Sequence, residues 1–310
     1  MLDRQTEQVG GEYQGIDTWP SAQSLSAMLA AQRRAVEAVG AALDDLARAA
    51  DLVADRIRKG GRLIYIGAGS SGLIAKLDSL ELPPTFGIAP TQALALIAGG
   101  GGSFQKLDGS VEDNPAQATA DLDSVGANRG DVVIGISASG STIYTCAALK
   151  EARRRGAATV GIACNDPAPI YEDADVAVRL LSGPEVLAGS TRMAAGTAQK
   201  AALNLLSTLT AMKLGHIHDG MMVNVRAENE KLRERAAHIV ARVASVDLEI
   251  ARAKLVAAGF EPKIAILLAA GADDVPHAAR ILAQEQGNVR RALACLGAAP
   301  AAASRSSAKP

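Results

Sequence analysis

Between Leu25 and Ile57 the apolar side chains Leu25, Leu29, Val36, Val39, Leu43, Leu46, Val53 and Ile57 recur in alternating steps of four and three, with Gln32 and Ala50 filling the gaps. A spacing near 3.5 predicts a long amphipathic helix whose seam must be buried on another helix, within the chain or across a dimer. Gly40 interrupts the pattern and Gly60-Gly61 supplies its stop. Ahead of it, residues 1–23 mix Gly, Pro and polar residues without a period and read as an N-terminal arm.

The pattern then changes. Arg62-Leu63-Ile64-Tyr65-Ile66 and the runs 131–136, 159–163 and 175–178 are short and apolar, and 91–97 is a fifth candidate strand. Helical patterns such as 142–155 lie between most of them. This alternation predicts an α/β fold, a parallel sheet covered by helices on both faces. A long apolar helix is expected over 191–214 and a single helix over 233–259. Shorter helices follow at 262–270, 275–284 and 288–296. The expected organisation is an arm (1–23), a sheet domain with its leading helix (24–232), a small all-helical C-terminal domain (233–297) and a disordered Ala/Ser/Pro tail (298–310).

Composition narrows the chemistry. Of 310 residues, 48% are apolar and 21% charged, which is globular, and Lys+Arg 32 against Asp+Glu 33 leaves a net charge of -1. No strong field draws the chain to nucleic acid or an anionic membrane, and 3% aromatics offer few stacking platforms. No run reaches the roughly 18 apolar residues of a membrane span, and Met1-Leu2-Asp3-Arg4-Gln5 lacks a signal-peptide core, so a cytoplasmic location is expected. Cys146, Cys164 and Cys295 are too few and scattered for a disulfide framework and read as small core residues. His216-Ile217-His218 is the one metal-like seed, but no third ligand is placed by motif, so the pair reads as a solvated helix end.

The first strand ends in Gly67-Ala68-Gly69-Ser70-Ser71-Gly72, literally G-x-G-x-x-G. A dinucleotide fold also wants an acid about 20 residues on, and Leu82-Pro83-Pro84-Thr85-Phe86-Gly87 supplies none. A later strand ends similarly, in Ser137-Ala138-Ser139-Gly140-Ser141-Thr142 before a helix. Two such turns put Ser70, Ser71, Ser137, Ser139 and Thr142 at the carboxyl edge of the sheet, beside helix N-termini that favour an anion. Neither turn carries the lysine of a nucleoside triphosphate loop, so the donors suit a small phosphomonoester.

Two carboxylates follow these turns. A helix from Ser70 is expected to stop before Pro83-Pro84, leaving Glu81 at its end beside apolar Leu80 and Leu82, where its pKa would rise. Glu112 follows the glycine-rich Gly99-Gly100-Gly101-Gly102. Each reads equally as a solvated charge unless both face the phosphate turns.

At these residues the chain resembles the N-acetylmuramic acid 6-phosphate etherase family, built on the sugar isomerase (SIS) fold. The matches run in order: Thr6-Glu7, the first glycine turn, Glu81 with Pro83-Pro84-Thr85, Ile97-Ala98-Gly99-Gly100, Val111-Glu112-Asp113 and Ser137-Ala138-Ser139-Gly140. The longest block is Gly189-Ser190-Thr191-Arg192-Met193-Ala194-Ala195-Gly196-Thr197-Ala198-Gln199-Lys200, followed by Asn229-Glu230-Lys231-Leu232. The resemblance implies an SIS-type, flavodoxin-like three-layer sandwich. It also implies cleavage of the D-lactyl ether of a phosphorylated amino sugar in cell-wall recycling, by elimination and then hydration. Glu81 would correspond to the family's proton donor and Glu112 to its acid–base partner, and the hydroxyls named above would hold phosphate or sugar. Both halves are proton transfers, so no metal or redox cofactor is required.

The chain departs from the family pattern where Leu73, Ser141 and Ala194 replace basic residues, and where Gln8-Val9-Gly10-Gly11 replaces an Asn-containing segment. These losses keep open a lyase or isomerase acting on a related hexose phosphate. They also leave room for a non-catalytic sugar-phosphate sensor like the vertebrate glucokinase regulatory protein. A homodimer is expected, because the 25–57 and 191–214 helices carry more apolar stripe than one small sheet covers.

Overall fold

The computed structural model describes residues 4–104 and 109–297; the tail expected at 298–310 lies outside them. Two compact units form. One comprises the chain up to Leu82 with Ala89–Thr210, and the other comprises Pro83–Ile88 with the chain from Ala211 on. The sheet-bearing unit thus closes at Thr210 rather than at 232, and the second unit takes in a short upstream piece.

In the first unit, β1 (Leu63–Gly67), β2 (Ala93–Ile97), β3 (Val132–Ile136), β4 (Ala158–Ala163) and β5 (Val176–Arg179) form one parallel sheet in the order β2-β1-β3-β4-β5. Every residue of β1, β3 and β4 is buried, as expected of strands covered on both faces. On one face Ile64, Ile66 and Val133 pack against Leu122 of α4 (Pro115–Ser124) and Tyr144, Ala148 and Leu149 of α5 (Ile143–Arg154). Tyr65 alternates to the other face, where its hydroxyl meets Asp78 of α3 (Gly69–Phe86). The expected α/β sandwich is therefore present.

The leading helix is broken as Gly40 suggested: α1 (Ser21–Val39) and α2 (Leu43–Arg58) flank a short 3-10 turn. Only half of its seam is covered. Val39, Leu46, Val53 and Ile57 are buried, whereas Leu25, Leu29, Val36 and Leu43 are exposed. The arm is more ordered than its composition implied. Its residues form three 3-10 turns, and Thr6 is wholly buried.

In the second unit α7 (Glu230–Ala244), α8 (Leu248–Ala257), α9 (Pro262–Ala269), α10 (Val275–Gln284) and α11 (Val289–Cys295) enclose their own apolar core around Val240, Leu255, Ile266 and Leu267. The single helix expected over 233–259 is two. Ser245 turns left-handed (φ 55), and the Val246 N–H returns to the Ala241 carbonyl, ending α7 without a glycine. His216 and His218 lie at the hairpin β6 (Ile217–His218) and β7 (Met221–Met222), not on a solvated helix end. Burial drives the His216 pKa down to about 3, which keeps it neutral. Among the described residues no cluster of three or more metal-ligating side chains occurs. Cys164 is buried and Cys146 half-buried, but Cys295 is exposed rather than part of a core.

Candidate active site

Strand order reverses between β1 and β3, and the register pairs their last residues, Gly67 with Ile136. The two serine-rich turns therefore leave the sheet side by side at its carboxyl edge, where open α/β sheets bind ligands. Each turn runs into a helix N-terminus, α3 after the first and α5 after the second.

The second turn is a knot of hydroxyls. Ser137 is buried, and its Oγ lies 2.8 Å from Thr142 Oγ1 and 3.3 Å from Ser139 Oγ while accepting the Gly140 N–H at 3.0 Å. Ser139 Oγ in turn accepts the Ser141 N–H and hydroxyl, both at 3.2 Å. Ser137 thus shapes the turn, while Ser139, Ser141 and Thr142 are half-buried around the free N–H groups that open α5. Asn165 fastens this turn to the arm, donating to Ala138 O and to Thr6 Oγ1, each at 3.0 Å.

In the first turn, Ser71 is buried and its hydroxyl donates to Gln199 Oε1 at 2.9 Å. That bond commits it to α6 (Ala194–Lys213), so Ser70, half-buried beside it, is the better-placed donor for an anion. Glu112 reaches this turn. Its Oε1 lies 2.9 Å from the point that a Cβ on Gly69 would occupy, and Gly69 sits at φ +51. Burial, reinforced by neighbouring Asp113, raises the Glu112 pKa.

Glu81 is elsewhere. The prolines at 83 and 84 do not stop α3, which runs on to Phe86. The apolar neighbour of Glu81, Leu80, is itself exposed and does not bury it. The Glu81 side chain is 49% exposed, and its Oε2 pairs with Lys200 Nζ of α6 at 2.9 Å. One turn earlier on α3, the buried Asp78 accepts from Tyr65, Asn204 and Ser207, joining α3 to α6. Twelve residues of continuous helix separate Gly69 from Glu81, about 18 Å along the axis at 1.5 Å per residue. Within one chain the two glutamates do not converge.

Sequence reasoning passed over three residues. Lys200 and Gln199 sat in the longest motif block without a role. Glu185, wholly buried, accepts the Ala194 and Ala195 N–H groups at 2.8 Å and so pins the start of α6. Ser182-Gly183-Pro184-Glu185 lies too far ahead of the helix to read as a local cap.

This architecture has a known class: residues 28–164 match the SIS domain model. Over nearly the whole chain the relatives are narrower. An N-acetylmuramic acid 6-phosphate etherase of Mycolicibacterium smegmatis is 44% identical over 87% of this chain and 90% of its own length. One of Streptomyces avermitilis is 44% identical over 93% of each, and one of Geobacillus thermodenitrificans 43% identical over 93% and 98%. The chain belongs to the N-acetylmuramic acid 6-phosphate etherase family. Among solved structures, a phosphoheptose isomerase of Neisseria gonorrhoeae is similar at 20% identity and a TM-score of 0.44, covering 62% of this chain and 95% of that one.

Proposed function

We propose that this protein cleaves the D-lactyl ether of N-acetylmuramic acid 6-phosphate, releasing D-lactate and leaving N-acetylglucosamine 6-phosphate. It is then a carbon–oxygen lyase that eliminates and afterwards hydrates, working in the cytoplasm on amino sugars recovered from the cell wall. Family membership at 44% identity supports the reaction. The observation that carries the mechanism is the Glu112 carboxylate poised over Gly69 in the first anion-binding turn.

The chemistry follows from the sugar. In the ring-opened form, the proton on C2 is α to an aldehyde. Glu112 takes that proton, and its raised pKa makes it a stronger base than an ordinary glutamate. The C3–O bond breaks, its electron pair leaves with the lactyl oxygen, and Glu81 supplies that oxygen's proton. Water then adds to C3, giving a proton back to Glu81, while Glu112, whose proton has exchanged with solvent in the meantime, protonates C2. Ser70, Ser139, Ser141 and Thr142 hold the phosphate, and Ser71 and Ser137 keep the turns in shape.

Glu112 stands at the Gly69 end of α3, and Glu81 lies about 18 Å further along that helix, so the two carboxylates of one chain cannot serve adjacent carbons. We therefore place each site across a homodimer, with Glu81 of one protomer and Glu112 of the other. Exposed Leu77 and Leu80 (59%) flank Glu81 on α3, and Leu25, Leu29 and Val36 form a bare stripe on α1. Apolar surface of this kind marks a protein contact. The test is D-lactate release by the purified protein, in parallel with Glu81→Gln and Glu112→Gln. Each substitution should abolish release while sugar-phosphate binding persists. Release retained in both variants overturns the assignment.

A further inference from the structure

The substrate brings its own carboxylate. The lactyl carboxylate is two bonds from the ether oxygen, so a group that protonates that oxygen from hydrogen-bond reach, about 2.6–3.2 Å, stands beside a second negative charge. Two carboxylates at that range repel unless one is protonated or a cation lies between them. In the structure Glu81 already holds such a cation: Lys200 Nζ is 2.9 Å from Glu81 Oε2, and the lysine is 32% exposed. Basic side chains are absent at Leu73, Ser141 and Ala194. Ala194 is also buried, with its N–H committed to Glu185.

We propose that Lys200 is the specificity-determining residue for the lactyl carboxylate, transferring its contact from Glu81 to the substrate when the sugar binds. The proposal rests on Glu81 being the group that faces the ether oxygen. Its position suits the role. Gln199, the preceding residue, is buried against Ser71 of the first turn, and Glu185 pins the start of the same helix. The lysine stem therefore rises from a helix fixed at its own chain's first turn and at its own N-terminus, and with Glu81 it faces the site that the partner completes. Asn204 and Ser207, one and two turns further along α6, are tied to Asp78, so the helix cannot slide past α3 without breaking buried hydrogen bonds.

The exchange has a chemical consequence. In the free protein the ammonium balances Glu81. Once a second carboxylate arrives and draws Lys200 to itself, the Glu81 carboxyl is released from its ion pair and faces the ether oxygen. The part of the substrate that will leave thus helps ready the group that protonates it. A sugar phosphate without that carboxylate leaves the Lys200–Glu81 pair intact.

The experiment is calorimetry in a Glu112→Gln background, where substrate is not consumed. Three ligands are compared: N-acetylmuramic acid 6-phosphate, its lactamide, in which the carboxylate is a neutral amide, and N-acetylglucosamine 6-phosphate. With Lys200 present, the acid should bind more tightly than the amide by roughly 10- to 150-fold, the worth of one charge-assisted contact. Lys200→Met should erase that preference and leave N-acetylglucosamine 6-phosphate affinity within about twofold, which also reports that the site remains folded. Lys200→Arg should retain the preference. A preference that survives Lys200→Met, or its absence when Lys200 is present, overturns the proposal. Because binding is read without turnover, either result is distinct from a failure of the catalytic reading, which shows as lactate release retained by Glu81→Gln.

Discussion

Glu112 lies against Gly69 so closely that a methyl group on the glycine would stand 2.9 Å from the carboxylate oxygen. Any side chain at 69 must push the carboxylate away from the first turn, and Gly69 at φ +51 is also in a region that other residues enter at a cost. Gly69→Ala should therefore lower kcat by about 100-fold, the effect of misplacing a reacting group by roughly 1 Å. Circular dichroism should show the fold retained. Unchanged kcat would mean that the contact is incidental.

In the role proposed for Glu112, its raised pKa sets the pH dependence. As a base, Glu112 must be ionised, so kcat/KM falls as pH drops through a limb lying above the ordinary glutamate value of about 4.3. Asp113 is the second cause of the shift, so Asp113→Asn should move that limb to lower pH. The stability sign is opposite to that of a salt-bridged acid. A carboxyl raised in the folded state contributes stability when protonated and loses it as pH rises through its folded pKa. Glu112→Gln should consequently unfold at the same temperature as the parent, or higher, at neutral pH while losing activity.

The proposed site, shared between two protomers, predicts complementation. Glu81→Gln and Glu112→Gln homodimers should each be inactive. Subunit exchange between equal amounts should restore about a quarter of wild-type activity, because half the dimers are mixed and each has one intact site. Leu29→Glu with Val36→Glu on the exposed α1 stripe should weaken the dimer and lower activity together, read by light scattering and turnover. A fully active monomer would contradict this arrangement.

Arg62 and Asp131 test the sheet itself. Asp131 is buried and accepts from Arg62 Nε at 2.9 Å and Nη2 at 2.7 Å, and also from the Arg62 and Asn128 N–H groups. Asp131→Ala leaves these donors unpaired and should cost about 3–5 kcal/mol in denaturant unfolding, with little effect on KM.

The strands β1, β3 and β4 were legible because each is a short, wholly buried run, for which burial on both faces leaves no polar alternation to confuse. The break between α7 and α8 was not, because Ser245 adopts the left-handed turn that a glycine usually marks. Pro83 and Pro84 misled in the opposite direction. They remove helical N–H groups but sit near the end of α3, where the Gly87 N–H still closes on the Pro83 carbonyl. At the site, serine-rich turns marked the place, but residue type alone does not separate Ser70 from Ser71. Only the tertiary contact with Gln199 does. Lys200 was hidden for the same reason, since its partner lies 119 positions away in the chain.

The most direct measurement is the isotope content of the sugar product after turnover in deuterium oxide. Proton removal from C2 and its later return require one deuterium at C2 of N-acetylglucosamine 6-phosphate. Product that carries only hydrogen at C2, released with D-lactate at the same rate, would mean that the ether is cut without touching that carbon, and the roles given to Glu81 and Glu112 would be wrong.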